Sequence, residues 1–215
     1  ADEGKSTVIS NLAIVLAQKE KSVLIVDCDM RKPTIQTLFS LPGKDVTGLS
    51  NLLRGECQAQ DVIRRSEKFG VSLVTSGPCV DDAAELLDSD AMHAFVAAME
   101  ERFDYILFDT PPAHVVSDAA TLCKYVDAAI LVIKQDFCNM EIINRTIEDI
   151  QSQNKPVVGC VFNKTQKSHG VLGYSRYGYG SKRYGYSRYG GANGYGYKYE
   201  QPSDKSADHS RSRRK

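Results

Sequence analysis

No stretch of the 215 residues comes near the roughly eighteen consecutive apolar residues that a membrane-spanning helix needs. No signal peptide is recognisable either, and the chain opens inside a motif without an initiator methionine, so it reads as a fragment whose upstream part is missing. The six cysteines (Cys28, Cys57, Cys79, Cys123, Cys138 and Cys160) form no CxxC pair and no Cys/His cluster at metal-ligand spacing. Four of them lie inside or beside apolar runs, where a reduced thiol packs as a small hydrophobe. That usage points to a reducing compartment, the cytoplasm. His93, His114, His169 and His209 make no evident triad or metal set, and His114 alone falls close to a motif, the one ending at Asp109.

Net charge is lacking as well, with 27 basic residues against 27 acidic ones. The balance hides an asymmetry. From Lys164 onward there are twelve Lys or Arg and three Asp or Glu, a net +9, which leaves −9 on residues 1–163. Tail and body therefore attract over long range, in a way that salt weakens. Within the tail, residues 174–199 hold nine tyrosines among seven glycines, with serine, arginine and lysine between them and Ala192 as the only aliphatic side chain. Such a segment cannot bury enough apolar surface to offset its ordering entropy, so a disordered tail with exposed phenols is expected over 164–215.

The body reads differently. Uninterrupted β-branched runs at 22–27, 71–76, 105–109, 128–134 and 157–163 suit buried strands of a parallel sheet. Helical spacing separates them at 6–20, 90–103 and 140–153, and shorter helices are expected at 48–55, 83–89 and 117–125, the last capped by Ser117 or Asp118. The βαβα order predicts a doubly wound, mostly parallel α/β domain over 1–163, Rossmann-like in three layers. This reading also requires a strand ahead of Ala1.

Three motifs place chemistry on that frame. "EGKST" at 3–7 ends like a phosphate-binding P-loop, G-x-x-x-x-G-K-[ST], with its first glycine ahead of Ala1. Gly4 lets backbone approach phosphate oxygens, the N–H groups of Ser6 and Thr7 open a helix toward the anion, Lys5 reaches the β and γ phosphates, and Ser6 is the expected Mg²⁺ ligand. "VLIVDCDMRKP" runs a buried strand into Asp27 and Asp29, whose spacing of two would point both carboxylates past the carboxyl edge of the sheet if the chain stays extended. "YILFDTPP" ends another strand on Asp109. An aspartate at a strand end is ordinarily a turn residue or helix cap. Three of them in this order behind a GKS make a site for Mg·ATP, with an acid left over to orient or deprotonate a nucleophile, while Arg31 and Lys32 read either as phosphate contacts or as a solvated pair.

With these blocks, "GLSNLLRG" (48–55) and "AELLDSDAM" (84–92), residues 1–163 resemble the bacterial tyrosine kinases that control capsule and exopolysaccharide synthesis. The tail is similar in kind to the tyrosine cluster those kinases phosphorylate on themselves. The resemblance implies Lys5, Asp27, Asp29 and Asp109 as catalytic residues, ATP and Mg²⁺ as cofactors with Ser6, Asp27 and Asp109 around the metal, and Tyr174, Tyr177, Tyr179, Tyr184, Tyr186, Tyr189, Tyr195, Tyr197 and Tyr199 as phosphoacceptors. Which of Asp27 and Asp29 is the base stays open. Ala1 and Asp2 depart from the proline and glycine often found there in the family.

The resemblance further implies a homo-oligomer at the inner face of the cell membrane and a membrane adaptor of the chain-length-regulator kind, fused or separate. A cognate tyrosine phosphatase and sugar-nucleotide enzymes as further substrates follow by the same analogy, with no nucleic acid expected. Two other readings stand beside it. One is a partition-type ATPase switch whose tail tethers it to nucleic acid or membrane; the other is a tail that binds RNA by stacking and charge, helped by "SRSRRK" at 210–215.

Overall fold

Strand β1, Val23–Asp27, is buried at every residue, and the architecture follows from how its two faces are covered. The computed structural model describes residues 3–41, 47–112 and 118–166. Ser117 and the side chain of Asp118, His114, and the whole tyrosine-rich unit His169–Lys215 lie outside the described residues. In chain order, α1 (Lys5–Gln18) leads to β1, then α2 (Ile35–Leu38), α3 (Leu49–Leu53), α4 (Ala59–Val62), β2 (Ile63–Ser66), β3 (Val71–Val74), α5 (Ala83–Leu87) and α6 (Asp90–Glu100). The second half runs β4 (Tyr105–Asp109), α7 (Asp118–Leu122), a 3-10 turn at Cys123–Tyr125, β5 (Ala129–Lys134), α8 (Met140–Ser152) and β6 (Val157–Asn163).

Alternate residues of β1 serve opposite faces, as the strand period of two requires. Leu24 and Val26 join Leu49, Leu53, Leu87, Phe95 and Met99 in one core. Val23 and Ile25 join Ala13, Ile35 and Phe39 in the other, closed by Ile9 and Ile14 of α1. The result is a parallel sheet between two helical layers.

The five strands expected from the apolar runs are all present, but they do not form one continuous sheet. Among the described residues, β2-β3-β1-β4 make a four-stranded sheet, parallel except for β2, while β5 and β6 pair only with each other. β2 is not legible as a strand, because Ile63-Arg64-Arg65-Ser66 has no apolar run. Its charges suit an edge, and it is held by pairing with β3.

Between the free edges of β4 and β5 lies a cleft of about 1160 Å³. Val8 and Leu12 of α1 and Ile142 and Ile143 of α8 line it with the two strands, and Glu3, Asp109 and Lys134 stand at its carboxyl end. Helix α8 starts on an Asn139 cap, whose side chain accepts from the Ile142 N–H at 2.9 Å, yet no residue of the helix is buried. Its apolar stripe faces the cleft rather than a packed strand.

At the carboxyl end of β3, the chain passes the start of α3 backbone to backbone. Leu49 and Ser50 donate to the carbonyls of Thr75 and Ser76 at 2.8 and 2.9 Å. A Cβ on Gly48 would overlap the backbone of Gly77 and Thr75, which cannot swing aside as a side chain would. Gly48→Ala is expected to cost about 1–3 kcal/mol, read as a lower urea midpoint at unchanged slope. An unchanged midpoint would show that the two loops separate freely.

Candidate phosphate-binding and acidic site

The carboxyl ends of β1 and β4 meet the N-terminus of α1, and their registers decide which carboxylates share the site. Asp27 and Asp109 are partners on neighbouring strands, and the Cys28 N–H donates to the Asp109 carbonyl at 2.8 Å. Both side chains are buried, at 0% and 2% exposure. Burial, then the charge of Asp109, pushes Asp27 up to about 8, against N–H donors from Ile35 and Asp29. Burial likewise pushes Asp109 up to about 6, against the Ser6 hydroxyl and the Lys5 charge. The two carboxylates resist being charged together.

Asp27 also performs the ordinary task of a strand-end aspartate. Its Oδ1 accepts from the Asp29 N–H at 3.1 Å and its Oδ2 from the Ile35 N–H at 3.2 Å, which ties the loop and the start of α2 to β1. Asp29 differs from the extended-chain expectation. The strand stops at Asp27, and Asp29 sits half-buried in a turn where its Oδ1 accepts from the N–H groups of Arg31 and Lys32 at 3.3 and 2.9 Å. Local hydrogen bonding by an aspartate competes with strand extension here. Asp29 still lies close enough to raise both Asp27 and Asp109 by its charge. Arg31 is exposed on that turn, and Thr7 is exposed on α1, where its carbonyl accepts from Asn11 Nδ2 at 2.8 Å; both stand outside the buried cluster.

On the phosphate side, Gly4 adopts φ +91° and its carbonyl accepts from the Val8 N–H at 2.9 Å, the first hydrogen bond of α1. Lys5 Nζ is 2.7 Å from Glu3 Oε2. Glu3 is buried, which by itself would raise it, but the Lys5 hydrogen bond, then its own backbone N–H and the Lys5 charge, bring it down to about 2. The role of Glu3 as keeper of the lysine has no signal in the sequence beyond its place in "EGKST". Asn163, at the end of β6, donates from Nδ2 to the Glu3 carbonyl at 2.8 Å. Motif spacing does not reveal it either, although it closes an apolar strand just as Asp27 and Asp109 do.

Asp109 Oδ2 is buried with no hydrogen-bond partner among the described residues. An orphaned carboxylate oxygen beside a hydroxyl, a second reluctant carboxylate and a lysine is what a cation accompanying a polyphosphate would satisfy. Among the described residues no group of three or more His, Cys, Asp or Glu gathers at metal-binding distance. A divalent ion would therefore rely on Ser6, the two aspartates and the phosphates themselves. Among the same residues no helix is long and apolar enough to cross a membrane.

A glycine-lysine-serine turn opening a helix, with aspartates on the two neighbouring strand ends of a doubly wound sheet, defines a P-loop nucleotide-binding domain. Comparison with known proteins narrows this class. The AAA domain family matches residues 3–159. Tyrosine-protein kinase YwqD of Bacillus subtilis is 34% identical over 84% of this chain and 74% of its own length. Tyrosine-protein kinase CpsD of Streptococcus agalactiae is 30% identical over 82% of this chain and 77% of its own length. Against the longer kinase ptk of Acinetobacter johnsonii, 32% identical, the chain spans 22% of the relative's length. The VpsO kinase domain superimposes with a TM-score of 0.73 at 33% identity, covering 77% of this chain and 81% of that one. MinD of Pyrococcus furiosus, at 21% identity and a TM-score of 0.64, shares the fold. The chain belongs to the bacterial tyrosine kinases of the P-loop type.

Proposed function

We propose that this domain transfers the γ-phosphate of Mg·ATP to tyrosine, with the cluster Tyr174–Tyr199 of its own chain, reached in trans within an oligomer, as a principal acceptor, and that the modification regulates capsule or exopolysaccharide synthesis. The observation that carries the reading is the pairing of Asp27 and Asp109 on adjacent strands beside Lys5 and Ser6. Ser6, Asp27 and Asp109 would hold the magnesium ion, which when bound neutralises charge on the β and γ phosphate oxygens.

The chain's own groups do the rest. Lys5 leaves Glu3 for the γ-phosphate, and the N–H groups opening α1 receive phosphate oxygens. Asp29, on the turn and outside the buried pair, orients the incoming phenol. A new bond forms from the phenol oxygen to phosphorus as the bridging bond to the β-phosphate breaks; ADP leaves with the electron pair and the phenol proton passes to an aspartate carboxylate. A phenol with a pKa of about 10 needs less help from a base than an aliphatic hydroxyl.

At about −1.5 to −2 charges each, roughly five or six phosphates would carry the +9 tail past neutrality and turn its attraction for the −9 body into repulsion. That is a route from phosphorylation to disassembly. A membrane adaptor would bring the domain to the cytoplasmic face of the membrane, and a tyrosine phosphatase would reset the tail.

The test is incubation with Mg·ATP, with and without a candidate adaptor, followed by peptide mass spectrometry beside a Lys5→Met control. Phosphotyrosine within 174–199 that the control lacks is the expected result. ATP hydrolysis with every tyrosine unmodified would favour a switch ATPase of the kind the MinD likeness in fold allows.

A further inference from the structure

The hydrogen bond from Asn163 to Glu3 joins residues 160 positions apart and reaches the phosphate loop from the second sheet. Both ends of the amide are engaged, since Oδ1 accepts from the Lys164 N–H at 2.9 Å while Nδ2 donates to the Glu3 carbonyl at 2.8 Å. The Asn163 carbonyl is used as well, accepting from the Gln135 N–H at 3.1 Å, so the residue is fixed at backbone and side chain alike. A Cβ on Gly4 would overlap Asn163 Nδ2. The glycine is thus required for more than approach of the loop to phosphate. It makes room for this amide.

We propose that Asn163 is a positioning residue for nucleotide binding: it straps the Glu3–Gly4 peptide so that the loop holds its anion-binding shape. The peptide is planar, so an anchored Glu3 carbonyl fixes the opposite direction of the Gly4 N–H. The next carbonyl, that of Gly4, is held by the Val8 N–H, and Gly4 between them is confined to φ +91°. With both flanking peptides tied, the loop need not be ordered when phosphate arrives, and the ordering cost is removed from binding. Asn163 acts through Glu3 and Gly4 and needs no contact with the reacting atoms. The inference rests on the Mg·ATP reading of the site.

The experiment titrates a fluorescent ATP analogue with Mg²⁺ into the full chain and its Asn163→Ala and Asn163→Asp variants, with steady-state tyrosine phosphorylation and thermal unfolding alongside. Asn163→Ala is expected to weaken nucleotide binding about tenfold and raise KM by the same factor at unchanged kcat, because a preformed binding shape serves ground and transition states equally. Nucleotide-free Tm should move by no more than about 2 °C. Asn163→Asp keeps the shape and loses the donor, setting a carboxylate against the Glu3 carbonyl, so it should bind nucleotide at least as weakly as Asn163→Ala. Equal affinity in Asn163→Ala and wild type overturns the strap while leaving the Mg·ATP site intact. So does a fall in kcat at unchanged KM, or a Tm loss beyond about 5 °C, which would make the contact part of the fold. A wild-type protein that binds no Mg·ATP overturns the nucleotide reading itself, and the strap with it.

Discussion

Asp109→Asn is expected to lower tyrosine phosphorylation by about a hundredfold or more while making the magnesium-free protein more heat-stable. Both effects have one source. Asp109 Oδ2 is buried without a hydrogen-bond partner among the described residues, and burial holds the carboxyl up at about 6. An amide of the same shape keeps an acceptor for Ser6 and the Thr110 N–H and removes a buried charge that Lys5 and those donors offset only in part. The same substitution takes away the oxygen a cation needs.

The pH dependence has a definite sign. A carboxyl raised in the folded state binds its proton more tightly there than in the unfolded chain, so stability is fully present below the unfolded pKa and falls as pH rises. For Asp109 that decline runs from 3.8 to about 6, and for Asp27 from 3.8 to about 8. Glu3, depressed from 4.5 to about 2, works in the other direction and withdraws stability as pH falls through that window. Thermal unfolding in chelator should therefore peak at roughly pH 4 and decline toward pH 8. Asp109→Asn should shorten the declining limb, since it deletes one titration and removes a charge that raises Asp27. A Tm that is flat or rising between pH 4 and 8 in the wild type would show that the pair is already neutralised in the resting protein.

The second large effect concerns the cleft between β4 and β5. Extending the chain ahead of Ala1 with five or six apolar, β-branched residues is expected to raise Tm by about 10 °C or more and to abolish binding of a hydrophobic dye. A strand there would pair with the free edges of both β4 and β5 and make one sheet of the two. It would bury the cleft-facing stripes of α1 and α8, with Val8, Leu12, Ile142 and Ile143 among them. Each such side chain contributes about 1.5–3 kcal/mol when fully covered, and the buried side chains of the added strand contribute on the same scale, against about 1–2 kcal/mol per residue for ordering it. An extension of the same length rich in serine and glycine is the control. Equal stability of the two would show that the edges close by some other contact.

Much of this protein is legible in its residues. Apolar β-branched runs mark all five principal strands, though only β1 and β3 are buried at every residue, and glycine-lysine-serine before an apolar helix marks the phosphate loop. The aspartates closing two of those runs mark the acidic side. What a linear pattern cannot hold is register. Only the pairing of β1 with β4 puts Asp27 opposite Asp109, and burial there, which depends on every layer packed around them, raises both carboxyls. The turn at Asp29 is likewise decided by local hydrogen bonds that a spacing of two does not reveal. Glu3 and Asn163 become parts of the site only when the fold brings β6 to the phosphate loop across 160 positions. Sequence by itself determined the principal elements and the chemical groups they carry, since propensity and apolar patterning are local, while β2 needed its partner β3. Tertiary structure decided which groups meet, since hydrogen bonding and electrostatic coupling act over a few ångströms whatever the separation along the chain.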